Sequence, residues 1–184
     1  MDNIKVKNIL IAVSNKETID KLLPLIKSDK IWATEGTAKY IKLKVETVNP
    51  IALGFDFNGR LKTISRELFA RILADRGQAT HMAELEKMGV EPIDLVVVDL
   101  YKPDSQNFPE SMDIGGQALI RAAIKNYKNV ALAFDSGSIK EVAEHLKANQ
   151  GRSLLAFRKA QAKKAAKFIA ERTKLEADLF VKLN

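Results

Sequence analysis

The chain has no cysteine. That absence removes disulfides, thiolate nucleophiles and cysteine-based zinc sites together. Histidine is almost as scarce, with His81 and His145 the only imidazoles in 184 residues, so neither a Cys/His mechanism nor a metal is expected, and no cofactor is called for. The sequence also lacks any run of 18 apolar residues, and its first seven residues are polar and charged. Neither a membrane span nor a secretory signal is expected, which points to a cytoplasmic protein. Internal repeats and low-complexity linkers are absent as well.

What is present suffices for one domain. With 46% apolar residues, a chain of this length can bury about two-thirds of its unfolded surface. A single domain over 1–184 is expected, with an α/β core over 1–150 and a basic amphipathic helical tail over 151–184. The formal net charge of +7 sits largely in that tail, which carries nine Lys or Arg against three Asp or Glu, whereas the first 150 residues hold 21 against 20. Such a segment can attract nucleic acid or anionic lipid. The stronger reading is structural. Leu154, Phe157, Ala160, Ala165, Phe168, Leu175 and Leu179 recur near helical spacing, so one or two helices should pack on a core or partner, with the lysines as the solvated face. No basic motif interleaved with aromatics occurs, so no nucleic-acid partner is expected.

Apolar runs of strand length alternate with segments of 3.6-residue period, the pattern of a parallel sheet with crossover helices on both faces. Strands are predicted over 8–13, 31–34, 45–48, 94–100 and 130–134, and helices over 17–26, 37–41, 66–74, 80–87, 117–125 and 138–149. The two longest strands are apolar enough to be buried on both faces. Gly89 is a candidate C′ residue, Gly115-Gly116 open the fifth helix, and Asp135-Ser136 cap the sixth. Open parallel sheets bind ligands beyond the carboxyl ends of their strands, so the turns after Val13, Thr34, Leu100 and Phe134 are where function is sought.

Several of those turns carry informative chemistry. Ser14-Asn15-Lys16 and Thr34-Glu35-Gly36-Thr37 each place hydroxyl, amide or ammonium donors at a helix N-terminus, which suits a phosphate, and Gly36 permits close backbone approach. Ser14 and Thr34 are equally well read as plain N-caps. Gly59-Arg60-Leu61-Lys62-Thr63 puts two cations at alternate positions, so an extended stretch points both the same way; a solvated loop reads as well. Asp99-Leu100-Tyr101 ends the most apolar strand with a carboxylate and a phenol. Met112-Asp113-Ile114-Gly115-Gly116 then leads into a helix that bears Arg121, Lys125 and Asn126. On spacing alone, Asp113 is an N-cap and Lys125 a partner for the helix dipole.

Taken together, VSNKE, EGTAKYI, NGRLKT, LEKMGVEPIDLVVVDLY, MDIGGQALIRAAIKNYKNV and the helical tail resemble the inosinate cyclohydrolase domain of the bifunctional enzyme that carries out the last two steps of purine synthesis. The order matches from end to end and covers nearly the whole chain. The resemblance implies a methylglyoxal synthase-like fold and a nucleotide substrate, 5-formamidoimidazole-4-carboxamide ribotide. Its carboxamide nitrogen attacks the formyl carbon, and loss of water gives inosinate. It further implies that Lys62 and Tyr101 handle protons at the formyl oxygen, and that Asp113 and Lys125 ease the carboxamide proton away. Ser14, Lys16, Thr34, Gly36, Thr37, Arg60 and Thr63 match positions around the ribose phosphate. Ile114, Gly115 and Gly116 match a helix N-terminus facing developing negative charge, and Asp99 stands at the substrate-side asparagine position. A homodimer is implied, as is a separate formylating enzyme upstream, because the resemblance stops at the cyclohydrolase portion.

The departures fall in ligand recognition. Ala12 stands where the family's first turn has a hydroxyl, and Glu35 places a carboxylate where backbone should meet phosphate. Asp99 replaces an asparagine, Ile64-Ser65-Arg66 and Phe69 replace a segment with two histidines, and the loop from Tyr101 to Asp113 is short. A second expectation therefore stands beside the enzyme: a nucleotide- or phosphosugar-binding regulatory domain without catalysis. Methylglyoxal synthase activity itself is not expected, because neither histidine falls at a strand end.

Overall fold

A computed structural model describes residues 2–26, 30–42, 48–51, 61 and 63–183. In chain order its elements are β1 (Asn3–Lys5), β2 (Asn8–Ala12), α1 (Leu23–Ile26), β3 (Lys30–Ala33), α2 (Glu35–Lys42), β4 (Val48–Pro50), α3 (Arg66–Leu73), α4 (Ala79–Lys87), β5 (Leu95–Val98), α5 (Ile114–Lys125), β6 (Ala131–Ala133), α6 (Ser136–Ala148), β7 (Arg152–Leu154) and α7 (Leu155–Val181). Five strands form one parallel sheet in the order β4-β3-β2-β5-β6. The chain leaves β2 toward one edge, then crosses back to β5, which pairs with β2 from Ile9↔Leu95 to Ala12↔Val98. The strand order reverses between these two, so their carboxyl ends open the crevice where such sheets hold ligands.

Side-chain alternation explains why helices cover both faces. Ile9, Ile11, Leu95, Val97, Ala131 and Ala133 point one way, into a core shared with Ile26, Ile41, Ile139 and Leu146. Leu10, Val96, Val98 and Leu132 point the other way, against Leu68, Ile72, Leu119, Ile120, Ala165 and Ile169. All four β5 residues are buried, as a central parallel strand requires. The α/β sheet read from the sequence is the one observed.

Boundaries differ where a single residue intervenes. Pro24 lacks an amide and its ring crowds the preceding turn. The helix predicted over 17–26 therefore divides into a 3-10 turn at Lys16–Ile19 and the short α1, with Pro24 in its first turn. Gly89, at φ 66°, ends α4 as expected, with Val90 N donating to Leu85 O. Asp135 caps α6 and forms a capping box with Ser138. The strand predicted over 45–48 falls at β4, with 45–47 outside the described residues. An antiparallel pair, β1 with β7, was not predicted, because its residues alternate too briefly to register as a pattern.

The tail contains one helix of 27 residues, and its buried face is the predicted one only in part: Ala165 is buried and Phe157 and Phe168 pack against the core, as expected. Arg158, Gln161, Ala162, Ala165, Ile169, Arg172 and Glu176 are buried at helical spacing, whereas Leu175 is 44% exposed and Leu154 and Ala160 are also exposed. The apolar residues alone gave an incomplete face, because this helix also covers segment ends whose backbone oxygens take donors from Arg158 and Arg172. Among the described residues no helix is long and apolar enough to cross a membrane.

At the amino end of the central seam, Asp94 is 3% exposed. Its Oδ2 accepts from Lys7 N and Asn8 N, both at 2.8 Å, and its Oδ1 pairs with Arg76 at 2.6 Å. Removing one partner of a buried ion pair leaves the other charge uncompensated, at a cost of about 3–5 kcal/mol. Asp94→Ala should therefore lower unfolding stability by about 3 kcal/mol or more, read as the midpoint shift in urea at constant slope. A loss below about 1 kcal/mol would show that this carboxylate does not hold the seam.

Candidate functional site

Two groups of predicted residues meet at the carboxyl end of the sheet. The first surrounds the ends of β2 and β3. Asp99, the residue after β5, reaches across the seam, and its two carboxylate oxygens accept from Ser14 N and from Asn15 N, the latter at 3.2 Å. Lys16 Nζ donates to Val13 O and, at 3.2 Å, to Ser14 O. Burial lowers the pKa of this ammonium, and the Asp99 charge partly offsets that. Thr34 Oγ1 donates to Thr37 Oγ1 at 3.1 Å, and Thr37 Oγ1 donates to Val13 O at 3.2 Å. Gly36 lies beside Lys16, whose Cε is 4.0 Å from the place a Gly36 Cβ would take.

The helix here starts earlier than predicted, so Glu35, Gly36 and Thr37 form the first turn of α2 and Thr34 precedes it. Glu35 does not enter the crevice. It is exposed and pairs with Lys39 at 2.7 Å, one turn along the same helix, and that hydrogen bond lowers its pKa. The carboxylate that looked like a liability for a phosphate faces solvent instead.

The second group surrounds the start of α5. Asp113 is the N-cap of this helix, with its Oδ1 accepting from Gly116 N at 2.7 Å. The helix begins at Ile114, three residues earlier than predicted, and Gly115 and Gly116 open it from within its first turn. Tyr101 Oη donates to Met112 O at 3.3 Å, one residue before Asp113. Burial raises the phenol pKa, and the Asp113 charge raises it further. Thr63 is buried and its hydroxyl lies 2.8 Å from a hypothetical Gly115 Cβ. Ile114, by contrast, is 51% exposed. Leu100, next to Asp99, lies against Gly116, so the two groups share one crevice.

Lys125 does not join them. It is exposed at the far end of α5, 12 residues from Asp113 or about 18 Å along a straight helix. A fold-back at Gly115-Gly116, which could have closed that distance, does not occur. Lys125 lines a groove of about 580 Å³ with Phe69, Leu73, Arg121 and Ile169. Arg60 and Lys62 lie outside the described residues. His81 accepts from Asp75 N at 3.1 Å, and His145 stacks on Phe157 with centroids 3.8 Å apart, both in structural settings away from Tyr101 and Asp113. Sequence reasoning missed Gln117, Arg172 and Glu176. Gln117 Nε2 donates to Glu176 Oε1 at 2.7 Å, and Arg172 Nη1 donates to Tyr101 O at 2.8 Å.

With this geometry described, comparison with known proteins places it in context. No family model matches the chain. The bifunctional purine biosynthesis protein PurH of Rhizobium rhizogenes is 34% identical over 178 residues, covering 89% of this chain and 33% of that protein. The PurH of Clostridium kluyveri is 37% identical over 152 residues, covering 74% and 30%. The chain thus spans about a third of the length of the curated relatives it matches. The crystal structure of ForH superposes with a TM-score of 0.76 at 28% identity, covering 95% of this chain and 99% of that one.

The two glycines of α5 give a test of the packing. Alanine in place of a helical glycine normally gains up to about 1 kcal/mol. A Cβ on Gly116 would meet Leu100 Cδ2 at 2.5 Å and both Asp113 carboxylate oxygens within 2.9 Å, and overpacking of that kind costs about 1–3 kcal/mol. Gly116→Ala should therefore destabilise the protein in urea unfolding while Gly36→Ala, with only Lys16 Cε at 4.0 Å, does not. Equal stability of the two variants would contradict the close contact between Asp113 and the start of α5.

Proposed function

The chain is a homologue of about one third of the bifunctional purine biosynthesis proteins, and from that premise we propose that it is an inosinate cyclohydrolase. In this reading it closes 5-formamidoimidazole-4-carboxamide ribotide to inosinate with loss of water. The observation that carries the proposal is the convergence, at one end of the sheet, of a half-buried phenol, a helix-capping carboxylate and a cluster of hydroxyl and ammonium donors. The reacting carboxamide and formyl groups are already tethered. The protein then has to hold the reactive conformer and move two protons, tasks open to side chains alone.

Roles follow from charge. Tyr101, with its pKa raised, is neutral at physiological pH and donates toward the formyl oxygen as it becomes a hydroxyl, with Lys62 as its proposed companion. Asp113 accepts from the carboxamide nitrogen, and the first turn of α5 faces the oxyanion that develops. Lys16, Thr34, Gly36 and Thr37 form the phosphate side, joined by Ser14 and Arg60, whereas Thr63, expected there from the resemblance, lies beside Gly115 at the start of α5. Asp99 competes there, since it already occupies two amides. That single observation favours a second reading, a nucleotide- or phosphosugar-binding regulatory domain whose ligand differs. Adding the formylated ribotide to purified protein and following inosinate absorbance separates the two. Turnover is expected, and tight inosinate binding without turnover would establish the regulatory domain.

Lys125 belongs to this scheme only through a second copy, given its distance from Asp113 along α5. The proposal is a homodimer in which each Lys125 serves its partner's Asp113. Mixed Asp113→Asn and Lys125→Ala proteins, each inactive alone, should regain about a quarter of the wild-type rate after random exchange into symmetric dimers. A mixture that stays inactive would remove Lys125 from the reaction.

A further inference from the structure

Three successive turns of α7 each touch the segment from Tyr101 to Gln117. Arg172 Nη1 donates to the backbone oxygen of Tyr101 at 2.8 Å, Glu176 Oε1 accepts from Gln117 Nε2 at 2.7 Å, and Phe180 meets Phe108 edge-on with centroids 4.8 Å apart. The residues at 172, 176 and 180 share one face of the helix. Their partners bracket the cyclohydrolase machinery: Tyr101 leaves the end of β5, Phe108 is in the middle of the following loop, and Gln117 lies in the first turn of α5, four residues after Asp113. Arg172 and Glu176 are 8% and 6% exposed. Such burial costs free energy unless the groups are satisfied.

We propose that Arg172 is a positioning residue, which fixes the peptide that carries Tyr101 and so aims its phenol at the reacting groups beside Asp113. The inference rests on the cyclohydrolase reading for its consequence, though not for its geometry. Beyond Val98 the chain leaves the sheet, and there the Arg172 guanidinium donates to the Tyr101 carbonyl. Anchoring that oxygen sets the orientation of the peptide plane, and with it the direction of the Tyr101 side chain. The phenol's bond to Met112 O, at 3.3 Å, is long for an O–H donor and sets direction only weakly. The loop between is closed on itself, with Asp104 N donating to Ser111 Oγ at 2.8 Å and Ser111 Oγ to Asp104 O at 3.0 Å. Tyr101 and Asp113 thus approach each other from two ends of one closed unit that α7 pins at three points.

The test compares Arg172→Ala, Arg172→Lys and Tyr101→Phe with the double variant Arg172→Ala/Tyr101→Phe in the full chain. Arg172→Ala should lower kcat tenfold or more with KM changed less than threefold, because ligand contacts are untouched. Arg172→Lys, which keeps one donor, should recover much of the loss. The double variant should be no slower than Tyr101→Phe alone, since the guanidinium acts through that ring. Full kcat in folded Arg172→Ala, or losses that multiply in the double variant, would overturn the proposal. If Arg172→Ala does not fold, Arg172→Met, which keeps the apolar length of the side chain and removes every donor, is read for the same kcat-against-KM split, and an unchanged kcat there counts against the role.

A second readout does not need turnover, so it separates failure of this proposal from failure of the cyclohydrolase reading. The Tyr101 phenol can be titrated by NMR in protein labelled with ¹³C at tyrosine, its resonance assigned by its loss in Tyr101→Phe. Burial and then Asp113 hold this phenol above the ordinary tyrosine value. Deleting a nearby cation by itself would raise the midpoint further, whereas freeing the ring into solvent would lower it. The proposal requires the midpoint to fall in Arg172→Ala. A midpoint that rises or stays would show that Arg172 does not position the ring, whatever reaction the site performs.

Discussion

The structure depends on a carboxylate clamp at each end of the seam between β2 and β5. Asp94, just before β5, accepts from two consecutive amides, Lys7 and Asn8; Asp99, just after it, accepts from another consecutive pair, Ser14 and Asn15. The two strands are bound in register by their ladder, and a slip by one residue would break both clamps at once while turning every side chain to the wrong face. Since this seam is also where the strand order reverses, the sheet's two halves are joined through it. Charge-assisted bonds of this kind are about twice as strong as neutral ones. The same interaction has different consequences at the two ends. At the amino end it is buried with Arg76 and serves only the fold. At the carboxyl end it faces the crevice and determines which donors a ligand can use.

The crevice is consequently divided. Its β2–β5 amides are committed to Asp99, and the third amide of α5 is committed to Asp113. The donors on the α2 side, Lys16 with the Thr34–Thr37 hydroxyls, lie beside Gly36 at a helix N-terminus, where the dipole favours an anion. Tyr101 and Asp113, the proposed acid–base pair, lie against α5 and Thr63. An anionic group and a reacting polar group would be drawn to different walls, which matches a ribotide entering phosphate toward α2. Glu35 does not disturb this division, because Lys39 holds it outward.

Much of this was legible in the sequence, and the failures have physical causes. The run DLVVVDL showed a strand buried on both faces, and its flanking aspartates are the two clamps, although nothing in the run says which amides they meet. Asp113 read as a cap, and it is one. Lys125 read as a site residue by resemblance, whereas helix rise alone separates it from Asp113, and only a continuous α5 makes that decisive. Pro24 was overlooked because apolar spacing hid a residue that cannot sit in a helix interior. The lysines of α7 were read as solvated and are exposed, but its buried arginines went unread, since spacing records where apolar residues lie and not where backbone oxygens need donors. Arg172 and Glu176 fall in phase with Ala165 and Ile169 at three- and four-residue steps, so the signal was present in the period and masked by the residue type.

The basic tail owes part of its charge to that need for donors. Arg158, 1% exposed, donates to Tyr127 O at 3.0 Å, to Lys128 O at 2.8 Å and to Ser153 O, closing the chain ends that follow α5 and join β7 to α7. Arg172 does the same for Tyr101. Each hydrogen bond to a charged group contributes about 1.5–3 kcal/mol once made, so three on one guanidinium can offset a desolvation cost of several kcal/mol. A lone carbonyl on Arg172 offsets less. The small residues Ala162 and Ala165 between the two arginines let the helix approach the sheet closely, and Ile169 fills the remaining space. A helix held by packing at its middle and by cations at both ends reports on the segments it caps. Arg158 caps a turn with no part in the proposed reaction, whereas Arg172 caps the residue whose orientation that reaction would depend on, which is where a smaller energetic return would carry the larger functional consequence.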